Sequence, residues 1–589
     1  MAFKLLPPGR RLPLALASAA RRFLQIDQLE RLYEKARARP GFTSGLLDEL
    51  DARISIAPAD IEKIPTSGAV VALANHPYGI LDGIVLAELL THIRPDVRIL
   101  TNQMLSSLPE LARICFFINP FDRPECRAAN GRALRQSVAH LRAGGMLLIF
   151  PAGEVAHFDI RKGAIRDPEW SETAVRLIRM TNARALPILI SGKNGLPFQM
   201  VGMVHPRLRT AALPAELLNK RGKIVEVRVG NAIAMQRVAA TVSDKDATQY
   251  LRLRTELLAQ RSDEPVVSEH TTVEPVAGVG ADELADKLAS EIAQLPASTL
   301  LEETRAFEVR VAEAHQIPSV LREIGRLREV TFRAAGEGTG AAIDLDRFDE
   351  HYLHLFLWNK EKREIVGAYR IGDVPALLAR LGRRGLYTNS LFRFSPRFFA
   401  NLGPALELGR SFVRPEYQRQ FSPLLLLWKG IGAYVARRPQ YATLIGAVSV
   451  SNRYSTASRE LIARYFETRN SSGQQQGSVK ARHPLRGSLV RRWEMSSLCS
   501  LLPDVDELSA PITDLEPDGK GIPILVKQYV RMGGQLLAFS VDPQFANTLD
   551  GFVLVDLTRT SPEALARYMG KEQTAKFFVW HHANSIRVA

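Results

Sequence analysis

Cysteine is scarce in this 589-residue chain, with three residues (Cys115, Cys126 and Cys499) at spacings that match neither a metal site nor a set of disulfides. The chain also has no uncharged apolar run near the ~18 residues that a membrane-spanning helix needs. These absences argue against a disulfide scaffold, a zinc module and an integral membrane protein. They fit a protein of a reducing compartment, and we expect no bound metal.

Repeats of solenoid period are absent, as are recognised nucleic-acid modules and basic stripes interleaved with aromatic residues. Lys plus Arg (77) nonetheless exceeds Asp plus Glu (62) by 15. Residues 1–40 have nine basic and three acidic residues, and residues 376–440 have eleven and two. An excess of this kind predicts anionic partners, and its two locations suggest two different ones. A basic nucleic-acid-binding protein is one alternative, although we expect no nucleic acid partner.

Residues 1–45 are interpreted as an amphipathic basic helical region. Apolar residues from Leu16 to Tyr33 recur at three- and four-residue spacing, with Arg22 and Arg31 among the basic residues between them. This pattern is typical of a helix that lies on anionic lipid, which predicts a cytoplasmic protein held peripherally at the inner face of the membrane. Two alternatives stay open, a helix packed on its own domain and a secretory signal.

Strand-like and helix-like segments alternate along most of the rest of the chain. The alternation between residues 69 and 233 predicts an α/β domain, to which we assign residues 46–261. Residues 262–280 lack periodicity and are rich in Pro, Val, Ser, Thr and Gly, as in a linker. A second mixture of strands and helices predicts another α/β domain over residues 281–589.

The stretch VALANHPYGILDG, residues 71–83, ends a predicted strand with a histidine. Pro77 and Gly79 predict a turn after His76, and Asp82 follows at the start of the next predicted helix. Histidine is the side chain best suited to take a proton from a hydroxyl near neutral pH, and an aspartate can orient it. A histidine near an aspartate is often purely structural, so the neighbouring motifs decide its interpretation.

NHPYGILDG resembles the His–Asp motif of the glycerolipid acyltransferase superfamily, and three further blocks follow in that family's order: FFINPFDR (116–123), FPAGEVAHF (150–158) and ALPILISGKNG (185–195). The resemblance implies a glycerolipid acyltransferase-like α/β domain that transfers an acyl chain from a thioester to a hydroxyl. It makes His76 the general base and Asp82 its orienting partner. We assign further substrate contacts to Asn75, Gly79, Arg123, Gly153 and Glu154. Arg123 suits an acceptor carboxylate, or else a surface ion pair.

Two departures from that family's pattern are informative. Five residues separate His76 from Asp82 where the family commonly has four, so the turn must be reshaped for the pair to meet. The third block reads Phe-Pro-Ala-Gly-Glu-Val where Phe-Pro-Glu-Gly-Thr-Arg is usual, and the usual form supports an acceptor with a phosphate. The altered block therefore predicts an acceptor without one.

The second domain resembles the N-acyltransferases related to acylhomoserine-lactone synthases, which have the GNAT fold. The resemblance rests on the run from IGRLREVTFR through DLDRFDEHY, on IVGAYRIG and on ELGRSFVRPEYQ. It implies a GNAT-like α/β domain in which Glu407 accepts the amine proton through water. Arg328, Glu329 and Arg410 are assigned to substrate binding. The alternative is an ordinary salt bridge between Glu407 and Arg410.

The acyl donor is predicted to arrive on a carrier protein. Ser422 before Pro423 predicts a helix start, and Arg419 beside it would complete an anion site for a phosphopantetheine phosphate. No glycine-rich pyrophosphate loop is visible, since GEGTG (336–340) follows a predicted helix rather than a strand. We therefore expect no bound cofactor and an acidic acyl-carrier protein as a partner.

The two domains in this order resemble bifunctional aminolipid synthases of the ornithine-lipid type. The resemblance implies that the C-terminal domain N-acylates an amino acid, with ornithine favoured, using a 3-hydroxyacyl group from acyl-carrier protein. The N-terminal domain then O-acylates the resulting 3-hydroxyl. The alternative is a lysophospholipid acyltransferase of the 1-acylglycerol-3-phosphate type, whose C-terminal half docks carrier protein without catalysis.

Overall fold

A computed structural model describes residues 25–119, 124–160, 163–204, 206–261, 281–418, 420–470, 477–487 and 499–588. The chain divides into two compact units, Met1–Arg261 (unit 1) and Ser262–Ala589 (unit 2). Each unit has its own large sheet and its own hydrophobic core. The predicted linker, residues 262–280, lies outside the described residues.

Unit 1 is a mixed α/β structure. Its strands are β1 (Arg53–Ile56), β2 (Val70–Ala74), β3 (Val97–Asn102), β4 (Cys115–Ile118), β5 (Met146–Ile149), β6 (His157–Asp159), β7 (Ala164–Arg166), β8 (Arg184–Ile190) and β9 (Ile224–Val229). Its α-helices are α1 (Ile26–Arg37), α2 (Phe42–Glu49), α3 (Pro58–Ile61), α4 (Ile80–Ile93), α5 (Pro124–Arg142), α6 (Thr173–Thr181), α7 (Leu196–Val204), α8 (Pro206–Leu218), α9 (Met235–Ala239) and α10 (Asp244–Leu257).

The large sheet of unit 1 has the strand order β1-β9-β8-β2-β5-β3-β4. Neighbouring strands run parallel except β8 and β9, which are antiparallel. All five residues of β2 are buried, which explains its uninterrupted apolar sequence, because a strand in the middle of a covered sheet has no solvent face. The carboxyl ends of β2, β5 and β8 meet at one edge, where parallel sheets usually bind ligands.

Helix α1 and the first turn of α2 lie in the part of the predicted N-terminal helical region that the structure describes, residues 25–45. Helix α1 is the amphipathic one. Its apolar residues Leu29, Leu32 and Ala36 are buried, and it packs against α2. The apolar face of residues 26–37 is therefore buried within the domain, which agrees with the alternative that this helix packs on its own domain. The remainder of the predicted helix, residues 1–24, lies outside the described residues.

Unit 2 is built on an eight-stranded sheet, and two further strands pair with each other apart from it. Its strands are β10 (Leu300–Glu303), β11 (Phe307–Glu313), β12 (Leu353–Asn359), β13 (Glu364–Asp373), β14 (Phe392–Phe394), β15 (Ala405–Val413), β16 (Thr443–Val450), β17 (Val479–Ala481), β18 (Gln535–Asp542) and β19 (Thr548–Asp556). Its α-helices are α11 (Ala281–Ala293), α12 (Pro318–Ala334), α13 (Val374–Leu381), α14 (Thr388–Leu391), α15 (Phe398–Leu402), α16 (Phe421–Ala436), α17 (Thr456–Arg469), α18 (Val505–Leu515), α19 (Ile524–Arg531), α20 (Pro562–Met569) and α21 (Lys571–Val588).

The order of the large sheet in unit 2 is β10-β11-β12-β13-β15-β16-β19-β18, and only β15 and β16 pair in parallel. Their pairing stops early, at Leu408 and Gly446, although the strands continue to Val413 and Val450. No described strand enters the space between them beyond that point. A gap therefore opens in the middle of the sheet, with a row of backbone N–H and C=O groups on each side.

A β-bulge marks the same place on β15. Between the pairs Ala368–Phe412 and Arg370–Gly409, the two residues Arg410 and Ser411 stand opposite the single residue Tyr369. Arg410 has a φ of 48°, in the left-handed region that non-glycine residues rarely adopt. A bulge of this kind re-aims a side chain. It turns the Arg410 guanidinium to the position described below.

The predicted two-domain α/β fold is confirmed, and one detail of unit 2 is wrong. Helix α16 begins at Phe421, and Gln420 occupies the N-cap without a side-chain hydrogen bond. Ser422 is an exposed residue of the first turn and does not cap the helix. Arg419, the other half of the predicted anion site, lies outside the described residues. Among the described residues, no helix is long and apolar enough to cross a membrane.

Candidate active sites

The first site lies at the carboxyl end of β2. His76 Nδ1 is 2.9 Å from Asp82 Oδ2, and the Asp82 side chain is fully buried while 18% of the His76 side chain is exposed. The imidazole is turned so that its Nδ1–H does not point squarely at the oxygen, and Nδ1 lacks a hydrogen bond in the strict sense. A small ring rotation would align the pair, and Nε2 is then the nitrogen left for a substrate.

The turn with five intervening residues brings Asp82 back to His76 through its cap on helix α4. Asp82 is the third residue of that helix, and its Oδ2 accepts hydrogen bonds from the backbone N–H groups of Tyr78 and Gly79, both at 2.8 Å. Gly79 has a φ of 87°. A side chain there would also meet Leu213 Cδ2 at 2.7 Å, so the turn requires glycine.

The rest of the turn is fixed by contacts from two other segments. The His76 ring lies on Phe150, with centroids 4.2 Å apart, and the His76 carbonyl accepts a hydrogen bond from the Ala156 N–H at 2.8 Å. The His76 N–H donates to Asp167 Oδ1 at 3.2 Å. Burial raises the pKa of Asp167 above its ordinary value. The FPAGEV block thus contacts His76 chiefly through the aromatic ring of Phe150.

Asn75 has a structural role that does not fit its predicted contact with substrate. Its side-chain amide donates to the Ile190 carbonyl at 2.9 Å, and its Oδ1 accepts from the Ile190 N–H at 2.7 Å. Asn75 therefore joins the ends of β2 and β8 and holds the strand end that carries His76. Gly79, likewise predicted to contact substrate, serves the turn.

The remaining predicted residues of the first site lie in or near the turn after β5. Gly153 has a φ of 66°, and an exposed Glu154 accepts a hydrogen bond from Arg209 Nη2 at 2.5 Å. Because Arg209 is 8% exposed and already paired, this block offers no unpaired cation to a phosphate. Arg123 lies outside the described residues.

An exposed apolar surface lies next to the first site. It consists of Phe158, Ile160, Leu196 and Met200, which are 38%, 76%, 77% and 62% exposed. The Phe158 N–H donates to Gln199 Oε1 at 3.0 Å, which joins the β6–β7 hairpin to helix α7. We call these four residues the apolar surface. It begins two residues after Ala156, which is hydrogen-bonded to His76.

In unit 2, the predicted pair Arg328 and Glu329 supports the scaffold and does not contact an open site. Arg328 is fully buried and donates to Asp349 Oδ1 at 2.7 Å. Glu329 is also buried and accepts hydrogen bonds from Thr339 and from the Gly340 N–H. Glu329 therefore holds the GEGTG loop in place.

Glu407 is 1% exposed, and its carboxylate already accepts three hydrogen bonds. Its Oε1 accepts from the Thr388 N–H at 2.7 Å, and its Oε2 accepts from the Tyr352 hydroxyl and the Tyr387 N–H. This geometry does not support proton transfer to Glu407 through water. It gives Glu407 the task of positioning the segment that carries Tyr387.

Arg410 does not bridge to Glu407, because its ion pairs are to Asp344 and Asp346 at 3.4 and 3.9 Å. Its guanidinium lies over the rings of Tyr387 and Phe545, 5.0 and 4.4 Å from their centroids. Three carboxylates that were not predicted from the sequence lie in the same place: Glu337 and Asp550 interact electrostatically with Arg410, and Asp542 accepts a hydrogen bond from Tyr387. Glu337 belongs to GEGTG, so this glycine-rich stretch was the part of the sequence that could have indicated the site. Its acidic residue contributes to the site, whereas its glycines had been considered only as a possible dinucleotide loop.

Within the described ranges, no group of His, Cys, Asp and Glu has the arrangement of a metal site. Both sites consist instead of acid–base groups and hydrogen-bond donors, which suits acyl transfer from an activated thioester.

Comparison with known proteins matches each unit separately. Residues 53–264 match a family model described as "Acyltransferase", and residues 327–429 match one described as "Acetyltransferase (GNAT) domain". The glycine N(alpha)-acyltransferase of Phocaeicola vulgatus is 29% identical over 297 residues, which are 48% of this chain and 87% of that protein. The lyso-glycine lipid O-acyltransferase of the same species is 25% identical over 251 residues, 41% of this chain and 86% of that protein.

The L-ornithine N(alpha)-acyltransferase of Agrobacterium fabrum is 24% identical over 253 residues, which are 42% of this chain and 78% of that protein. The family matches confirm the predicted acyltransferase domain in unit 1 and the GNAT-type domain in unit 2. Each of the three relatives aligns with less than half of this chain.

Proposed function

We propose that this two-domain acyltransferase forms both the amide and the ester of a diacylated aminolipid. Unit 2 N-acylates an amino acid with a 3-hydroxyacyl group, and unit 1 then O-acylates the 3-hydroxyl. The observation that carries the proposal is the match to two kinds of relative, named for amino-acid N-acylation and for lyso-lipid O-acylation, each over less than half of the chain. A single chain with both activities would supply the product of one unit as the substrate of the other.

In unit 1, the geometry supports His76 as the general base. Its Nε2 takes the proton of the 3-hydroxyl as that oxygen attacks the thioester carbonyl, and Asp82 stabilises the imidazolium that forms. Collapse of the tetrahedral intermediate forms the ester and expels the thiolate, which takes the proton back from His76. Because Glu154 already pairs with the Arg209 guanidinium, the site suits an acceptor without a phosphate.

In unit 2, the gap between β15 and β16 suits the extended arm of a carrier-bound thioester. The arm contains amide groups, which can pair with the open backbone edges of the two strands as an added strand would. Exposed arginines lie on the segments before and after Tyr387: Arg380, Arg383, Arg384, Arg393 and Arg397. The Arg383 side chain donates to the Phe394 carbonyl, which joins these segments. This basic surface fits an acidic acyl-carrier protein.

The proposal is tested by supplying the purified full-length chain with 3-hydroxyacyl carrier protein and either ornithine or glycine. We expect thiol release and an N-acylated amino acid, and we expect a diacylated product when a second acyl thioester is added. Lysophosphatidic acid is the competing acceptor. Ester formation on lysophosphatidic acid without any amide product would establish the lysophospholipid alternative and reject this proposal.

The apolar surface is expected to bind unit 1 to membranes, where the lyso-lipid acceptor resides. The double variant Ile160→Asp, Leu196→Asp should weaken binding to vesicles of anionic phospholipid about 100-fold, since burying each side chain stabilises binding by roughly 1.5 kcal/mol. Vesicle sedimentation measures the binding. Val242→Asp is the matched control, because Val242 is 98% exposed in the same unit but lies outside the apolar surface. Equal loss of binding in the control would reject this role.

A further inference from the structure

Charged side chains from separate segments meet where β15 and β16 part. Arg410 comes from the bulge in β15, Asp550 from β19, Asp542 from the end of β18, and Glu337 from the loop that Glu329 holds. Ser449 on β16 links two of these segments, since its hydroxyl donates to Glu337 Oε2 at 3.1 Å and its backbone lies opposite Asp550. We call Glu337, Arg410, Asp542 and Asp550 the charged cluster.

The Arg410 guanidinium is suited to bind an anion. Its side chain is only 10% exposed, and its buried Nε has no hydrogen-bond partner among the described residues. The ion pairs at 3.4 and 3.9 Å are too long or too poorly aligned to satisfy it. A buried charged donor without a hydrogen bond is costly, so such a group calls for an explanation, and a catalytic or binding role is one of those that native structures show. The donor geometry of a guanidinium matches a carboxylate.

The carboxyl groups of the cluster have the properties of a base near neutral pH. Burial, the charge of Asp542 and that of Glu337 raise the pKa of Asp550 to about 7. Removal of the Glu337 carboxyl from water likewise raises its pKa to about 7, although Arg410 and the Ser449 hydroxyl oppose the shift. Arg410 and Arg459 are the cationic groups that act on Asp550. The Tyr387 hydroxyl donates to Asp542 at 3.3 Å.

Building on the proposed N-acylation, we infer that the amino-acid acceptor binds in the charged cluster, with its α-carboxylate on Arg410 and its α-amine beside Asp550 and Glu337. The location supports this assignment, because the cluster lies at the gap in which the thioester arm is expected. A zwitterionic amino acid suits both sides of the cluster, since its carboxylate can hydrogen-bond to the guanidinium, whose Nε lacks such a bond, and its ammonium can pair with the carboxylates.

The cluster then provides the proton transfer that amide formation requires. Asp550 takes a proton from the α-ammonium, and the neutral amine attacks the thioester carbonyl. The C–N bond forms, the C–S bond breaks, and the electron pair leaves with the thiolate. The second amine proton is lost as the amide forms and neutralises the thiolate, while Asp550 returns its proton to water. Glu337 supports the ammonium before transfer, and Glu407 acts as a positioning residue through the Tyr387 segment.

The test uses the full-length protein with 3-hydroxyacyl carrier protein and ornithine, and it compares Asp550→Asn, Glu337→Gln and Arg410→Lys with the wild type. Asp550→Asn should lower kcat of amide formation about 100-fold or more. The wild-type kcat/KM should fall as pH drops below about 7, because the carboxylate becomes protonated, and the variant should lose this limb. Arg410→Lys should raise KM for ornithine about tenfold, the loss of one bidentate carboxylate contact, and leave KM for the thioester unchanged.

Asp556→Asn is the matched control, since Asp556 lies on the same strand as Asp550 but caps the turn at its far end. It should keep wild-type rates. Esterification of added lyso-lipid by unit 1 reports the enzyme concentration in every variant, and tryptophan fluorescence reports whether unit 2 is folded, because four of the five tryptophans belong to it. Wild-type kcat and pH profile in both Asp550→Asn and Glu337→Gln would overturn the inference, as would a rise in KM for the thioester alone in Arg410→Lys. Absence of amide from the wild type would instead reject the proposed function.

Discussion

The His76→Ala protein is expected to acylate its amino acid once and to accumulate the mono-acylated lyso-lipid. Loss of a general base typically lowers a rate by about 10² to 10⁴, and the methyl group of alanine cannot take the proton of the 3-hydroxyl. Unit 2 has a separate core, so amide formation should continue at the wild-type rate. Mass spectrometry of the lipids made by the purified protein measures both products.

His92→Ala is the control for this experiment. His92 belongs to the same unit and has a 73% exposed side chain at the end of helix α4, away from the site. It should make the diacylated lipid normally. A His76→Ala protein that forms the diacylated lipid at the wild-type rate would remove His76 from the mechanism.

The Arg328→Ala variant should unfold unit 2 far more easily than the wild type. Burial alone would raise the pKa of Asp349, but Arg328 and Arg370 hold it below its ordinary value, so the carboxylate is kept charged inside the protein. Removal of one partner of a buried ion pair costs about 3 kcal/mol or more. Urea unfolding followed by tryptophan fluorescence reports this change, because four of the five tryptophans belong to unit 2.

Arg326→Ala provides the comparison from the same helix. Arg326 pairs with Glu323 at 2.6 Å, but 27% of its side chain is exposed, so its loss should cost less than about 1 kcal/mol. Equal shifts of the urea midpoint in the two variants would contradict the structural role of Arg328. If Arg328→Ala had a wild-type urea midpoint but impaired amide formation, the prediction that Arg328 contacts substrate would be supported instead.

The features that the sequence predicted are those set by short-range patterns. The apolar run at residues 69–75 forms a strand, because it is long enough to cross a covered sheet and has no proline within it. His76 was identifiable because its motif lies within a few residues. Asp82 was named as its partner by resemblance, but the way in which the longer turn brings the two together could not be predicted, since it depends on the backbone of Gly79 and on two N–H groups that bind Asp82.

The site around Arg410 could not be predicted from the sequence for a different physical reason. The bulge at Arg410 depends on how β15 pairs with β13, and the burial of Glu407 depends on donors from Tyr352, Tyr387 and Thr388. The spacing of residues along the chain indicates neither the bulge nor the burial of Glu407. Only the fold shows that Glu407 accepts three hydrogen bonds, whereas Glu337 accepts one from Ser449, on the part of β16 beyond its pairing with β15.

The two separate cores have a genetic consequence under the proposed order of reactions. A lesion confined to residues 25–261 would leave a cell with lyso-lipid, whereas a lesion confined to residues 281–588 would leave it with neither lipid, because the ester requires the amide first. Two defective alleles, one of each class, would then complement each other in the same cell by exchange of the lyso-lipid. The single gene would then behave as two complementation groups.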